Sequence, residues 1–246
     1  MKYYEMHDEV YKGLRQRGMV TWDGQVDVES IYEHHINLEL NKNISKYFPK
    51  AKGKSALDLG TGSGTAALFL ARKGFSATGY DISSEAIQLA NENALKLDVQ
   101  ANFQVQDICE YSGNNKFDLV VDSSFLHCIV HNEERSHIYS AIRNILKSEG
   151  YLFIHTMIAA QDMSDLLSKE HILLEKDILW STGKDSWDME WKVVDGKRVF
   201  PHRRILSQVD LEEELSAHQF KVVDKVVKLN ERGPSTYIAW LRVNHE

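Results

Sequence analysis

Apolar positions along this chain fall into two different rhythms. Near the start, Tyr3, Met6, Val10 and Leu14 recur at intervals of three and four, which predicts one helical stripe with Gly18 as its stop. A second helix is predicted from Ser30 to Phe48, where Pro49 ends it. From Ser55 onward, short apolar runs alternate with helix-length segments. Strands are predicted over 55–59, 76–80, 102–105, 117–121 and 151–156. The first intervening helix covers 65–73 and ends at Gly74. Ser83 caps the next, with Ile87, Ala90, Ala94 and Leu97 facing inward, and Asn132 caps a third carrying Ile138, Ala141, Ile142 and Ile145. Strands joined by helices of this length imply a parallel sheet covered on both faces.

The rhythm breaks over 158–206, a stretch rich in Trp and charge. Within it, EWKVVDGKRVF reads as a hairpin turning on Asp195-Gly196. Ser207 and Asp210 then form a capping-box-like helix start. Two last strands, 221–229 and 236–243, are joined by NERGPS, too short for a parallel crossover, so they pair antiparallel. The expected fold class is α/β: a doubly wound, mostly parallel seven-stranded sheet with an antiparallel C-terminal strand, a helical N-terminal extension and a late inserted hairpin. The expected layout is one domain over 1–246: a helical cap (1–50), a ligand-binding core (51–157), an insertion serving as a substrate lid (158–206), and a closing helix with two strands (207–246).

Composition narrows the class. No apolar run approaches the ~20 residues that cross a bilayer, and the first ten residues, MKYYEMHDEV, lack a secretory pattern. The expected compartment is the cytoplasm. Two cysteines, Cys109 and Cys128, have no CxxC partner or zinc spacing, so no metal is expected and both are read as small packed side chains, with a catalytic thiol as the second reading. A net charge of -7 disfavours nucleic acid as the partner.

The chemistry concentrates in Ala56-Leu-Asp-Leu-Gly-Thr-Gly-Ser-Gly64, with three glycines between a strand and a helix. Glycine allows the tight turn and a close backbone approach to a ligand. Thr65 stands where a dinucleotide fingerprint has its third glycine. Asp58 precedes the loop inside the strand, where a carboxylate needs a partner such as a ligand's ammonium group, directly or through water. Asp81 ends the second strand, where an acid can accept from both hydroxyls of a ribose, and Asp107 ends the third.

Taken together, LDLGTGSG, GYDIS, QDICEY and FDLVVDSSFLHCI resemble the successive motifs of class I S-adenosylmethionine-dependent methyltransferases, over roughly Ser55 to Thr156 plus the antiparallel last pair. The resemblance implies that Gly60, Thr61, Gly62 and Gly64 line the methionine part of the cofactor, with Asp58 beneath. It implies that Asp81 holds the ribose, that Asp107 accepts from the adenine amino group, and that Ile82 and Ile108 sandwich the ring. Ser123 would complete the cofactor site, with the stretch through Phe125 and His127 near the reactive methyl. The product would be S-adenosylhomocysteine. FDLVVDSSF with Ile129 is also similar to the thiopurine and thiol methyltransferases and their tellurite-resistance relatives, which act on small molecules.

The substrate side is read from the remaining residues. His127 is the candidate base or orienting group, against a structural role. Trp22 is a candidate for closing over the cofactor, against a packed aromatic anchor, and Trp180, Trp187 and Trp191 are candidates for an aromatic wall against the substrate, against forming the insertion's own core. His202 and Arg203 are candidates for holding an anionic group, against a solvated strand. Asp81, taken as a solvated strand-end acid, is expected to matter little to stability. The expected activity is methyl transfer to a small-molecule nucleophile (S, N or O) by a monomer or homodimer, with no membrane partner. The alternatives are a nucleotide-dependent oxidoreductase and a non-catalytic cofactor-binding module. DSSF after the fourth strand differs from the NPPY or DPPY of many base and glutamine amino methyltransferases.

Overall fold

The structure, a computed structural model, describes residues 3–111, 113–184 and 186–244. A 3-10 turn, Tyr3–Met6, runs into α1 (His7–Gln16), and Gly18 beyond it takes φ +68°. The buried stripe is Tyr3, Met6, Tyr11 and Leu14, whereas Val10 is exposed. The second predicted helix is two, α2 (Ser30–Glu33) and α3 (His35–Tyr47). His34 separates them with an extended ψ of 136°, which no helical residue can hold.

The alternating region follows: β1 (Ser55–Leu59), α4 (Thr65–Arg72), β2 (Ser76–Asp81), α5 (Ser84–Leu97), β3 (Asn102–Val105), β4 (Phe117–Ser123), α6 (Asn132–Ile145) and β5 (Leu146–Ile158). Ser83 caps α5, its hydroxyl accepting from the Ala86 N–H at 3.0 Å. The expected cap on α6 is not made. His131 holds the N-cap position, Asn132 is already helical, and no side chain caps the first turn.

The insertion is more than a hairpin. It carries α7 (Ser164–Leu167), β6 (Leu173–Glu175), β7 (Ile178–Thr182), β8 (Lys192–Val194) and β9 (Lys197–Arg204). These strands form a separate antiparallel sheet in the order β6-β7-β9-β8. The β8–β9 hairpin turns on Asp195 and Gly196, both at positive φ (48° and 76°), as a tight primed turn requires. The chain closes with α8 (Gln208–Ala217), β10 (Phe220–Lys228) and β11 (Ser235–Val243). Ser207 caps α8 by accepting from the Asp210 N–H.

The main sheet has seven strands in the order β10-β11-β5-β4-β1-β2-β3, with β11 antiparallel to both neighbours and the other pairs parallel. Both faces are covered. Along β4, Leu119 and Val121 join one apolar cluster, with Ala66, Phe69 and Trp240. Val120 between them joins the other, with Ile138, Ile142 and Leu215. A strand buried on both faces reads as a continuous apolar run, which is why β4 shows no alternation. The expected doubly wound α/β fold is therefore found. Because β1 pairs β2 on one side and β4 on the other, the C-terminal ends of these strands, with β3 beyond β2, lie side by side.

Candidate functional site

A cavity of about 220 Å³ opens at those strand ends. Its floor is the turn after β1. Gly60, Gly62 and Gly64 take φ of 60°, 54° and 82°, a region L side chains rarely adopt. At Gly62 the space a side chain would need is filled by the Tyr11 ring. At Gly64 a Cβ would lie 2.9 Å from Phe103 and 3.1 Å from Ala90. Gly64 thus packs helix against strand and does not face the cavity, unlike Gly60, Thr61 and Gly62, which line it.

Asp58 also differs from its sequence reading. It is fully buried beneath the turn, and its partners are the protein's own. Oδ2 accepts from Thr61 Oγ1 (2.7 Å) and the Ala67 N–H (3.2 Å), and Oδ1 accepts from Ser123 Oγ (2.7 Å). No ligand ammonium is needed to satisfy this carboxylate directly. Its work is to tie β1, the turn, the start of α4 and the end of β4 together. Burial pushes its carboxyl up to about 6.

Asp81 lines the cavity yet is only 8% exposed. Oδ2 accepts from the Gly62 N–H and Oδ1 from the Ser83 N–H, both at 2.9 Å. A carboxylate has about four acceptor positions, so two remain, the number a ribose diol requires. Burial lifts this carboxyl to about 6 as well. Asp81 is therefore structural as well as a ligand candidate, which corrects the expectation of a solvated acid. Ile82, Ile108 and Ser123 line the same space. Asp107 does so too, with Oδ1 accepting from the Cys109 N–H and Oδ2 from the Tyr4 hydroxyl at 3.2 Å.

Beyond β4, Asp122 organises the turn that carries Phe125 and His127. Its Oδ1 accepts from the Phe125 and Leu126 N–H groups at 2.7 and 3.0 Å. Oδ2 is buried without a partner, and burial pushes the carboxyl up to about 7. A carboxyl raised above its unfolded value near 4 adds stability while protonated. That contribution is complete below about pH 4 and lost as pH rises through 7. Asp122→Asn removes it. The variant should therefore gain about 2–3 kcal/mol relative to its parent between about pH 5 and pH 8, at about 1.4 kcal/mol per pKa unit. Denaturant titrations at both pH values measure this; a difference that does not change with pH would rule out titration of Asp122 in that range.

His127 lines the cavity, and its Nδ1 accepts from the Met157 N–H at 3.2 Å, with Thr156 Oγ1 also at 3.2 Å. A backbone N–H can only donate. The neutral ring therefore carries its proton on Nε2, and burial together with Arg203 keeps it neutral. The geometry suits a hydrogen-bond donor that orients a ligand, not a base. Cys109 and Cys128 form no disulfide among the described residues and are half-buried on the cavity wall. Burial pushes the Cys128 thiol up, away from the thiolate a nucleophile needs.

The roof comes from the N-terminal segment. Tyr4, His7 and Tyr11 line the cavity, as do Trp22 and His34. Trp22 stays 43% exposed and packs on His7 and Tyr11, with ring centroids 5.5 and 5.3 Å apart. Tyr4, His7 and Tyr11 form a second stripe spaced three and four, one residue out of register with the apolar one. That spacing was available in the sequence and points to a helix with two working faces.

The insertion contributes Arg203, but its tryptophans stand elsewhere. Trp187 packs edge-on to Phe200 (5.2 Å), Trp191 lies under the Arg198 guanidinium (4.5 Å), and Trp180 is buried in the second sheet. None of the three lines the cavity, and neither does His202, whose carbonyl bonds to Arg203. The aromatic wall expected of Trp187 and Trp191 is supplied by the N-terminal residues instead. Among the described residues, no helix is long and apolar enough to cross a membrane, and no cluster of His, Cys, Asp and Glu is placed to hold a metal ion.

Comparison with known proteins gives this geometry a lineage. Over its catalogued sequence relatives, the chain is 29% identical across 147 residues to the ubiquinone biosynthesis O-methyltransferase of Pasteurella multocida, covering 55% of this chain and 59% of that protein. It is 26% identical across 147 residues to a putative methyltransferase of Geobacillus sp., covering 59% of this chain and 56% of that one. The chain thus spans a little over half the length of these relatives. Among solved structures, an S-adenosylmethionine-dependent methyltransferase from Methanosarcina mazei superposes with a TM-score of 0.67 at 25% identity, over 82% of this chain and 97% of that one. Magnesium protoporphyrin IX methyltransferase from Synechocystis, with S-adenosylhomocysteine bound, shares the fold at a TM-score of 0.64 and 17% identity, over 96% of each chain. The model of one family, described as a methyltransferase domain, matches residues 50–196, which hold the glycine turn, all three strand-end acids and most of the insertion. With more than half of its length matched in this way, the chain belongs to the methyltransferase-domain family.

Proposed function

We propose that this chain transfers a methyl group from S-adenosylmethionine to a small-molecule nucleophile held in the strand-end cavity. The observation that carries the reading is the enclosure of that cavity. The positive-φ glycine turn and Asp81, with two acceptor positions free, make its floor, and Tyr4, His7, Tyr11 and Trp22 close over it. A roof at this place leaves room for a compact acceptor and keeps bulk water from the reacting centre.

When bound, the cofactor supplies an activated methyl carbon and its own leaving group, so the protein's share is alignment and exclusion of water. Gly60, Thr61 and Gly62 would border its amino-acid end, Asp81 the ribose, and Ile82 and Ile108 the adenine. His127 would donate from Nε2 to fix the acceptor. An acceptor that must lose a proton would reach the site already deprotonated, because His127 Nδ1 is occupied.

Calorimetry with S-adenosylhomocysteine, S-adenosylmethionine and NAD tests the cofactor. The two sulfur ligands should bind and NAD should not, because Thr65 stands where a dinucleotide fingerprint has the glycine that lets its helix pack closely on the strand. Preferential NAD binding would return the oxidoreductase reading. Incubation with methyl-labelled cofactor and a cell extract, split by ultrafiltration, tests the acceptor. Label should collect with the metabolites; label confined to macromolecules would overturn the small-molecule reading.

A further inference from the structure

Arg203 stands out from the other arginines set into this fold. Arg135 and Arg15 pair with carboxylates at 2.7 and 2.6 Å, and Arg204 meets Asp177 at 3.9 Å. Arg203, half-buried on β9 and lining the cavity, makes no ion pair among the described residues. Its bonds all run through Nη1, to the His202 carbonyl (2.8 Å), to His7 Nε2 (3.4 Å) and to His202 Nδ1 (3.5 Å). Nε and Nη2, the edge that grips an oxyanion in a two-pronged fashion, have no hydrogen-bond partner among the described residues. The formal charge of the chain is -7, so acids were available to pair this cation.

The surroundings leave the charge uncompensated. His7 and His202 are both pushed down to about 3, by burial first and then by Arg203 itself. Neutral rings add no competing cation. His127, held as the Nε2–H form by Met157, adds a donor on the same wall. Of the acids lining the cavity, Asp81 and Asp107 sit at the ends of β2 and β3, where they bond to backbone N–H groups and Tyr4, and Asp23 accepts from the Thr21 hydroxyl and faces His34. Arg203 lies away from those strand ends, between His7 of the roof and the turn after β4, against which β9 packs and where Arg204 donates to the Val130 carbonyl.

We propose that the methyl acceptor carries an anionic group, a carboxylate or a phosphoryl oxyanion, gripped by the Nε–Nη2 edge of Arg203. This rests on the small-molecule reading above and specifies its substrate class. The cofactor's own carboxylate has the same chemistry, so the test must separate the two.

With S-adenosylhomocysteine saturating, calorimetry compares benzoate and phenylphosphonate with benzamide and benzyl alcohol. The anions should bind at least about tenfold more tightly, the scale of a charge-assisted pair of hydrogen bonds. Arg203→Gln should erase that preference and leave the neutral probes and S-adenosylhomocysteine unchanged. Arg203→Lys should keep part of it, as a point charge without the fork. Neutral probes binding as well as the anions would overturn the proposal alone; no binding by any probe would overturn the small-molecule reading with it. If Arg203→Gln weakens S-adenosylhomocysteine but not 5′-methylthioadenosine, which lacks the amino-acid end, the guanidinium holds the cofactor and the proposal fails. Should Arg203→Gln not fold, the wild-type preference and Arg203→Lys decide.

Discussion

Replacing Asp81 should sharply weaken cofactor binding. Asp81→Ala removes the two acceptor positions left open toward the cavity, and with them a charge-assisted pair of bonds to the ribose. The expected loss is about 2–4 kcal/mol, roughly thirty- to several hundred-fold in affinity for S-adenosylhomocysteine, since each bond to a charged group contributes about 1.5–3 kcal/mol and the losses are not additive. The same change orphans the Gly62 and Ser83 N–H groups, so the melting temperature of the free protein should fall as well. Asp81→Asn separates the two effects. Its remaining oxygen can still accept from one of those N–H groups, so it should melt closer to the parent, while its amide cannot accept from both hydroxyls. Calorimetry and thermal melts on both variants make the comparison. Wild-type affinity in Asp81→Asn would mean that the carboxylate only shapes the turn.

The second large effect is expected at Arg135, which does not line the cavity but holds the turn that carries His127. Its side chain is 3% exposed and its donors are fully engaged. Nε and Nη2 donate to the two Glu214 oxygens at 2.7 and 2.8 Å, Nη2 also donates to the Tyr139 hydroxyl at 3.2 Å, and Nη1 donates to the Leu126 and Ile129 carbonyls at 2.6 and 2.9 Å. It thus pins the turn carrying His127 to α6 and α8. Removing one member of a buried pair costs about 3–5 kcal/mol, because the other is left buried and the freed carbonyls lose their donor. Arg135→Met should lose about that much in denaturant unfolding. It should also weaken acceptor turnover more than cofactor binding, because the loosened turn lies on the acceptor side. A loss under about 1 kcal/mol would place Arg135 among surface-like pairs. Glu214→Gln should fall between, since the neutral amide keeps one acceptor for the guanidinium.

Both effects depend on contacts that join distant parts of the chain, and this marks the boundary of what the sequence discloses. Within one element the code is local. The apolar run of β4, the Ser83 and Ser207 caps, the Asp195-Gly196 turn and the glycines after β1 each act through neighbours within a few residues, so pattern and propensity suffice to place them. The order of strands and helices then follows, because a parallel sheet needs crossovers and NERGPS is too short to be one. Asp81 and Asp107 are legible for the same reason: each ends a strand, and strand ends in such a sheet meet at one crevice.

What only the tertiary structure decides is which side chains share a space. Asp58 looks like a ligand for a cofactor until Thr61, Ser123 and the Ala67 N–H are found around it, and two of these come from its own turn and helix while one comes from β4. Trp187 and Trp191 suggest a substrate wall by their number, but β6 and β7, with three and five residues, are too short to stand out in sequence. The sheet they complete takes Trp180 into its own packing, while Phe200 and Arg198 engage the other two. The roof made by Tyr4, His7 and Tyr11, and the unpaired edge of Arg203, arise from docking the N-terminal turn, α1 and β9 over strand ends distant in sequence. Local propensity carries no information about such encounters. They are selected by burial and by the pairing of polar groups across the assembled fold, which exist only once the sheet and its two covering layers have come together.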